Sequence, residues 1–336
     1  MFCIDPEKVH HWVVAFLKVG FKIPFIKFIV HRFYSVKQTS LKTQFCGIDF
    51  PNRVGLAPGF DKNALFFNEM VAFDFGFIEI GTVTPRPQPG NAKPRIFRLK
   101  ADEALINRMG FNNLGVEEAV HQLKENRKGK LIIGGNIGKN TDTPNEKAVD
   151  DYIYCFERLY DYVDYFVVNV SCPNVSNLKA LQDHDSLDAI MKAIMQRRNL
   201  MKVKKPVLLK ISPDLNFDQV DDVLGILKET ATDGMVVANT TVTREHLTTD
   251  AQKVASIGNG GLSGKPLKNR STELIKYIAQ KTNGQLPIIG SGGIIKPADA
   301  LEKLNAGATL VQVYTGFIYY GPSIVKDINK LLIKNK

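Results

Sequence analysis

Cysteine is scarce in this sequence, and its placement excludes several kinds of site. The 336 residues include four cysteines, which are Cys3, Cys46, Cys155 and Cys172. No two of them form C-x-x-C, so neither a zinc ribbon nor an iron–sulfur cluster is expected, and no other metal site is predicted. Scattered thiols of this kind indicate reduced cysteines in a cytosolic compartment.

Long apolar runs and nucleotide-type glycine motifs are also lacking. No stretch of about 18 apolar residues occurs, so no membrane-spanning helix is predicted. No G-x-G-x-x-G follows a predicted strand, which argues against a Rossmann nicotinamide site. Early charged residues, at Asp5, Glu7 and Lys18, argue against a cleaved signal peptide.

Positive charge is in excess, and it is concentrated near the amino terminus. The formal net charge is +10, and residues 1–44 carry seven Lys and Arg against two acidic residues. A basic segment can face nucleic acid or anionic lipid, or it can be an ordinary solubilising surface. Charge alone therefore leaves the partner open.

Residues 1–40 are predicted to form a two-helix extension before the main domain, residues 41–336. Asp5 is the expected N-cap of the first helix with Pro6 at its first position, and Pro24 opens the second helix. In both segments the apolar residues share one helical stripe and basic residues lie opposite. Such helices dock on their own domain, which is the ordinary case, or lie on a membrane surface.

Eight short apolar runs follow the extension, and helical patterns separate most of them. Continuous apolar runs are typical of parallel strands that are buried on both faces. The predicted strands are residues 54–57, 77–81, 131–136, 165–170, 206–211, 234–238, 286–290 and 309–313. The predicted helices include residues 116–126, 186–201, 217–230, 271–281 and 298–306. Eight such strands predict an α/β fold, a (β/α)8 TIM barrel, and favour it over a doubly wound sheet.

Polar and glycine residues come directly after these strands, where the active site of a barrel is expected. The set is rich in asparagine, lysine, threonine and glycine and lacks carboxylate pairs, which indicates a polar planar ligand with a phosphate. Glycine-rich loops near the last two strands, such as "GSGGI" at 290–294, suit a phosphate because backbone N–H groups can approach it closely. A lyase that uses Lys62 or Lys210 as a Schiff base remains a rival interpretation.

Nine segments together resemble the dihydroorotate dehydrogenase family. They are "NRVGLAPGFDKNA", "GFIEIGTVTPRPQPGNAKPRIFRL", "LINRMGFNNLG", "NIGKNTDTP", "NVSCPN", "ANTT", "GGLSGKPL", "PIIGSGGI" and "LVQVYTGFIYYGP". The resemblance extends over essentially the whole chain, and the N-terminal helices are similar to those of the membrane-associated, quinone-dependent class 2 branch. It implies a barrel that uses flavin mononucleotide (FMN) to oxidise dihydroorotate to orotate in pyrimidine synthesis.

The resemblance also implies a role for each matching position. Substrate contacts are expected from Lys62, Asn107, Arg108, Met109, Gly110, Phe111, Asn169, Asn174, Asn239 and Thr240. Flavin contacts are expected from Pro58, Gly59, Phe60, Asp61, Lys62, Thr82, Asn136, Asn169, Lys210, Ala238, Gly264, Gly293, Tyr314 and Thr315. These residue types suit orotate, because amides both donate to and accept from a planar ring and a lysine balances its carboxylate.

The catalytic base is expected to be Cys172, which precedes the proline of the family pattern N-x-S-x-P-N. Side chains alternate in direction near a strand end, so Ser171 and Cys172 are not expected to face the ring together. Class 2 members typically carry serine at this position, and cysteine resembles class 1. A thiol with a reference pKa of about 8.5 is a better base near neutral pH than a hydroxyl. Ala238 is a second departure, because the pattern usually has threonine there.

The expected electron acceptor is a quinone, with fumarate as the class 1-like alternative. The two N-terminal helices would form an apolar quinone entrance on the membrane surface, and Arg95 would be its polar end by resemblance. His10 and His11 are expected to be surface residues. The predicted location is peripheral, on the cytoplasmic side of a bacterial cell membrane. Neither an iron–sulfur partner subunit nor nucleic acid is expected, and a non-catalytic basic binding module is the least favoured alternative.

Overall fold

The computed structural model describes residues 4–127, 129–171 and 184–335. Two helices come first, α1 (Pro6–Gly20) and α2 (Pro24–Tyr34), as the proline and capping pattern predicts. The side chain of Asp5 accepts a hydrogen bond from the backbone N–H of Lys8 at 2.9 Å, which satisfies one otherwise unpaired donor of the first turn.

Thirteen strands follow in the described ranges. They are β1 (Thr43–Phe45), β2 (Ile48–Phe50), β3 (Val54–Leu56), β4 (Phe77–Val83), β5 (Ile96–Leu99), β6 (Ala104–Asn107), β7 (Ile132–Ile137), β8 (Tyr165–Asn169), β9 (Val207–Ile211), β10 (Gly234–Val237), β11 (Gly261–Gly264), β12 (Ile288–Ser291) and β13 (Leu310–Val313). Eight of them, β3, β4, β7, β8, β9, β10, β12 and β13, close into a barrel in that order. All eight neighbouring pairs are parallel. The prediction of a (β/α)8 barrel is confirmed, and each strand end lies within two residues of its predicted position.

Helices flank the barrel and cover its outer surface. After α1 and α2 they are α3 (Phe67–Met70), α4 (Val116–Asn126), α5 (Ala148–Leu159), α6 (His184–Asn199), α7 (Phe217–Thr230), α8 (Ala251–Ile257), α9 (Lys268–Lys281), α10 (Pro297–Asn305), α11 (Thr315–Tyr320) and α12 (Ser323–Lys334). Their apolar faces join the outward side chains of the strands in one large core cluster. The start of α7 shows why its bounds were predictable, because Asn216 and Gln219 form a reciprocal capping box.

The amino-terminal end of the barrel is closed by an antiparallel hairpin of β1 and β2. Phe45 and Phe50 of this hairpin are buried in the same cluster as Phe77 and Tyr165, and the rings of Phe50 and Phe77 meet edge to face at 5.3 Å. The pattern of the sequence did not reveal this hairpin, because its strands Thr43–Phe45 and Ile48–Phe50 mix polar and apolar residues and are fully buried at one residue each. Aromatic side chains therefore fill the barrel on the side opposite the strand ends that carry the polar residues.

A second small sheet lies at the carboxyl-terminal side of the barrel. Strands β5, β6 and β11 pair antiparallel in the order β11-β6-β5, and a bridge between Thr241 and Leu262 ties the sheet to the segment after β10. The stretch "GNGGLSG", interpreted as a glycine loop before the seventh barrel strand, contributes β11 to this sheet. The sheet brings Asn107 and Gly264 to the barrel mouth.

The N-terminal helices rest on the barrel with one side and leave a broad apolar side exposed. The partly buried side chains of Val14, Leu17 and Val30 pack against the main core. The exposed apolar residues of the two helices are Trp12, Phe16, Val19, Ile23, Phe25, Ile26, Phe28, Ile29 and Phe33. Among the described helices, none combines the length and the apolar character that crossing a bilayer requires.

Candidate active site

The carboxyl ends of the barrel strands and the small sheet together enclose a pocket whose lining combines apolar residues with several amides and two lysines. Its walls combine strand-end residues with loops that follow the strands, as expected for a barrel. The lining includes these predicted site residues: Pro58, Gly59, Lys62, Thr82, Asn107, Met109, Gly110, Phe111, Asn169, Lys210, Ala238, Asn239, Thr240, Gly264, Gly293, Tyr314 and Thr315. Most of the predicted set is thus brought together at one place.

The loop after β12 needs glycine for a steric reason. Gly293 has φ +75°, and a Cβ atom placed on it would lie 2.2 Å from the Cα of Lys268 and 2.4 Å from its backbone nitrogen. The backbone of this loop therefore packs directly against the first residue of α9. Gly264 is equally confined, because its Cβ would lie 2.3 Å from the carbonyl oxygen of Glu103. Backbone amides at such positions can approach a bound anion closely.

Asn169 lies at the centre of a hydrogen-bonded cluster on one side of the pocket. Its Nδ2 donates to the hydroxyl of Thr82 at 2.9 Å and to Oδ1 of Asn136 at 3.3 Å. Its Oδ1 accepts from Nδ2 of Asn239 at 3.3 Å and from the hydroxyl of Ser171 at 3.3 Å. The cluster joins the ends of four strands, so it fixes the direction in which each amide points. Asn136 contributes to this cluster without lining the pocket.

The side chain of Ser171 faces this cluster, and its hydroxyl accepts from Nδ2 of Asn239 at 3.1 Å. Ser171 is 3% exposed. The expected base Cys172 and the expected substrate residue Asn174 lie outside the described residues. Their roles remain predictions.

Lys62 is held at the pocket by a neighbour that the sequence did not single out. Its ammonium group donates to Oδ1 of Asn112, and both residues follow barrel or sheet strands. The loop that carries Asn112 is shaped by Gln88, whose Nε2 donates to the carbonyl oxygens of Gly110 and Phe111 at 3.1 Å each. The segment "TVTPRPQPGN" thus supports the pocket loop of Gly110 and Phe111, a role that its motif could have indicated.

Three residues of the predicted set turn away from the pocket. Arg108 donates to the carbonyl oxygen of Ile257 at 2.6 Å and, through Nε at 3.3 Å, to that of Pro94, on the outer side of the small sheet. Asp61 accepts from the backbone N–H groups of Leu65 at 2.7 Å and Phe66 at 2.9 Å. Burial raises the pKa of Asp61 to about 6, although these two bonds lower it in part.

Phe60, the third of these residues, belongs to an aromatic chain that runs from α1 to the pocket. The ring of His10 contacts that of Phe60 edge to face at 5.0 Å, and Phe60 contacts the pocket residue Tyr314 at 6.0 Å. Burial lowers the pKa of His10 to about 4. Burial likewise raises the pKa of Tyr314 to about 12. His10, expected to be a surface residue, is half-buried, because its ring packs against Phe60 and Phe66.

A buried carboxylate, Glu79, lies inside the barrel beneath the pocket. Its Oε1 accepts from Nδ2 of Asn136 at 2.7 Å, and its Oε2 accepts from Nε2 of Gln312. Burial raises the pKa of Glu79, while the positive charge of Lys210 and the two amide donors lower it in part. Sequence reasoning missed this residue, because it stands inside an apolar strand rather than at its end.

The pocket lies where barrel enzymes carry their active sites, at the carboxyl ends of a closed ring of parallel strands, so the fold and the site define a barrel enzyme. The family model for dihydroorotate dehydrogenase matches residues 40–335, and the chain belongs to this family. Members of the family are in general flavin-dependent oxidoreductases.

Relatives and solved structures agree with this assignment. The chain is 51% identical over 334 residues to a protein of Christiangramia forsetii named dihydroorotate dehydrogenase (quinone), with 99% of this chain and 96% of the relative covered. It is 45% identical to a protein of the same name from Shewanella sediminis, with 98% and 95% covered. A crystal structure of the Eimeria tenella enzyme in complex with ferulenol superposes with a TM-score of 0.88 at 36% identity, covering 98% of this chain and 91% of that one.

Proposed function

We propose that this protein oxidises dihydroorotate to orotate, with FMN bound in the pocket and a quinone as electron acceptor. The observation that carries the proposal is the convergence of Lys62, Asn107, Asn169 and Asn239 on one pocket that glycine loops border. A cation and several amides suit a ring with two amide groups and one carboxylate. The names of the two bacterial relatives support the choice of a quinone.

The residues of the pocket fit FMN in their chemistry. Gly264 and Gly293 line the pocket beside Thr315, whose hydroxyl forms a hydrogen bond with that of Ser263 at 2.9 Å. This side of the pocket suits the phosphate group of FMN. Lys210, 5% exposed on the pocket floor, suits the electron-rich edge of the isoalloxazine ring. A bound flavin supplies the two-electron acceptor that the oxidation of a saturated ring bond requires.

The substrate residues act by orientation and charge. The ammonium group of Lys62 faces the carboxylate of dihydroorotate, while Asn107, Asn169 and Asn239 hold the ring amides. Because Asn169 is fixed by its bonds to Thr82 and Ser171, the orientation of its amide is set before the substrate arrives. Cys172 is the proposed base that removes the ring proton, as the order of residues after β8 implies.

The proposal that a quinone is the electron acceptor is supported by the surface of α1 and α2. Phe16 is 77% exposed, Phe25 69% and Trp12 60%, so a broad apolar surface borders basic residues. We infer that this surface lies in the headgroup region of a membrane and that the quinone enters beside it. The aromatic chain from His10 through Phe60 to Tyr314 leads from α1 to the pocket wall. The inferred location is peripheral, on the cytoplasmic side of a bacterial membrane.

Turnover of the purified protein tests the function directly. Dihydroorotate oxidation is measured with a soluble quinone analogue and with fumarate in parallel samples, after the flavin has been extracted and identified. Turnover with the quinone alone is the expected result. Turnover with fumarate would assign the acceptor of class 1, and a colourless protein without turnover would overturn the proposal and favour a lyase.

A further inference from the structure

Glu79 is a carboxylate at the centre of the barrel, and it has no assigned role in the proposed reaction. The residue is fully buried, at 0% exposure, above the aromatic layer that contains Phe77 and Tyr165. It lies below the pocket, since its partner Gln312 and the nearby Lys210 both line the pocket floor. Burying a carboxylate without hydrogen-bond donors and an opposite charge costs several kcal/mol of desolvation free energy.

An ionised carboxylate only accepts hydrogen bonds, and this property gives the neighbouring amides a direction. Asn136 and Gln312 both turn their NH2 groups toward Glu79. The Oδ1 of Asn136 is therefore left to accept from the hydroxyl of Thr82. Asn169 then donates to that hydroxyl at 2.9 Å. Each bond in the series fixes the donor and acceptor roles of the next one.

The series continues to the substrate side of the pocket. With its NH2 group committed to Thr82, Asn169 presents Oδ1 to Ser171 and to Asn239, both at 3.3 Å. The carboxylate of Glu79 at the bottom of the barrel thus determines that Oδ1 of Asn169 faces Ser171, the residue before the expected base, and Asn239. A neutral amide at position 79 would allow either orientation of each amide above it.

The negative charge of Glu79 opposes the uptake of electrons by a ligand bound above it. Burial raises the pKa of Glu79, while the positive charge of Lys210 and the donors Asn136 and Gln312 oppose this rise and stabilise the ionised form. A negative charge in a medium of low polarisability opposes the arrival of further negative charge nearby. Charges close to a flavin are among the means by which a protein sets its redox properties.

We propose that Glu79 is a positioning residue for the oxidation: its buried carboxylate directs the amides of Asn136 and Gln312 and lowers the reduction potential of a flavin bound above Lys210. The inference rests on the proposed function, because it requires a flavin in the pocket. It does not require contact between Glu79 and the flavin. The carboxylate acts through its hydrogen bonds with Asn136 and Gln312, and through the electrostatic potential that it and Lys210 together create in the pocket.

The test compares Glu79→Gln with Glu79→Asp and with the control Glu229→Gln, which changes an exposed carboxylate at the end of α7. The flavin midpoint potential of each holoenzyme is measured by dye equilibration at neutral pH. Glu79→Gln is expected to favour flavin reduction by about tenfold, which equals about 30 mV for a two-electron couple. Glu79→Asp keeps the charge and is expected to stay near the wild type, as is Glu229→Gln. Equal potentials in Glu79→Gln and wild type would overturn the charge role.

The two half-reactions give a second readout that loss of structure alone would not produce. In Glu79→Gln the oxidation of the flavin by quinone should slow, whereas its reduction by dihydroorotate should be retained or slowed less. If both rates fell by the same factor without a change in potential, Glu79 would be a structural residue only. Wild-type holoenzyme that binds flavin but is not reduced by dihydroorotate would instead contradict the proposed function.

A measurement on the wild type keeps the inference testable if Glu79→Gln does not fold. Infrared difference spectra between oxidised and reduced holoenzyme are recorded with 13C-labelled and unlabelled glutamate. A labelled carboxylate band that responds to flavin reduction is expected, and it should be missing in Glu79→Asp, whose aspartate carries no label. The lack of any label-sensitive carboxylate band in the wild type would refute the inference.

Discussion

The carboxylate of Glu7 in α1 binds the guanidinium group of Arg95 through two hydrogen bonds, of 2.7 and 3.2 Å. Both side chains are largely buried, with exposed fractions of 11% and 7%, and Arg95 also donates to the backbone carbonyl of Pro89 at 2.7 Å. This geometry matches the planar fork of arginine to both carboxylate oxygens. The pair therefore fastens the N-terminal helix to the segment that precedes β5.

Removing the carboxylate should release α1 from the barrel. Glu7→Gln leaves the buried guanidinium of Arg95 without its counter-charge, which is expected to lower the free energy of unfolding by about 3 kcal/mol. Chemical denaturation of the holoenzyme measures the change. Glu125→Gln, at an exposed position of α4, is the control and should change stability little. Equal stability of Glu7→Gln and wild type would show that the pair does not fasten the helix.

The same pair predicts a dependence on pH. Burial raises the pKa of Glu7, but the hydrogen bond and the charge of Arg95 outweigh it and leave the pKa below its ordinary value of 4.5. A depressed pKa in the folded state means that the stabilisation is present above pH 4.5 and is lost as the pH falls through the lower folded value. Melting temperatures of wild type and Glu7→Gln should therefore converge in acid. A constant difference down to about pH 3 would contradict this assignment.

The exposed apolar side of α1 and α2 should bind membranes. A triple variant with Phe16→Ser, Phe25→Ser and Phe28→Ser removes three rings that are between 64% and 77% exposed, so it should fold as the wild type does. Each ring contributes about 1.5–3 kcal/mol when fully buried, so sedimentation with anionic lipid vesicles should fall at least tenfold. Reduction of the flavin by dihydroorotate should be unchanged. Leu200→Ser, an exposed residue after α6, is the control, and unaltered vesicle binding by the triple variant would exclude this surface.

Cys172 and Ser171 can be separated by rapid mixing. Cys172→Ala should bind flavin normally, yet its flavin should be reduced by dihydroorotate about 10²–10⁴-fold more slowly, since the proton then lacks a positioned base. Ser171→Ala should have a smaller effect, because it removes hydrogen bonds to Asn169 and Asn239 but no base. Full activity of Cys172→Ala together with loss in Ser171→Ala would assign the base to Ser171, whose hydroxyl faces the amide cluster.

Two glycines with similar backbone angles distinguish steric confinement from backbone strain. Gly293 and Gly284 have φ of +75° and +69°, but a Cβ on Gly284 would meet nothing within 4 Å. Gly284→Ala should therefore destabilise the protein by about 1 kcal/mol, the usual strain of alanine in this region. Gly293→Ala should also displace the loop from Lys268 and weaken flavin binding at least tenfold, as measured by fluorescence titration of the apoprotein. Equal flavin affinity of the two variants would remove this loop from the site.

The barrel was predictable because most of its strands are continuous apolar runs in the sequence. Strands such as β8 and β9 are buried at every residue, and their continuous apolar runs end abruptly at polar residues. The hairpin of β1 and β2 and the small sheet had no comparable signal. The short barrel strands are largely apolar and buried at every residue, whereas β1, β2 and β5 are fully buried at one residue each and Gly261–Gly264 has the composition of a turn.

The site was predictable in position but less so in the direction of its side chains. Motif resemblance put Asn107, Asn169 and Asn239 in one pocket, and they are there. It could not tell that Arg108 turns outward to the carbonyl oxygen of Ile257, because neighbours from a distant part of the chain decide that direction. The role of Glu79 was not predicted for the same reason. A single acidic residue in an apolar run does not indicate that Asn136 and Gln312 will donate hydrogen bonds to it.

The aromatic plug made by Phe45 and Phe50 has a consequence for traffic through the enzyme. Because these side chains fill the amino end of the barrel in the part of the chain that the structure describes, substrate, product and electron acceptor would all use the carboxyl end, where the pocket lies. On the proposed function, dihydroorotate would then enter from water, and we infer that the quinone enters over a separate part of this end, beside the contact of His10 in α1 with Phe60.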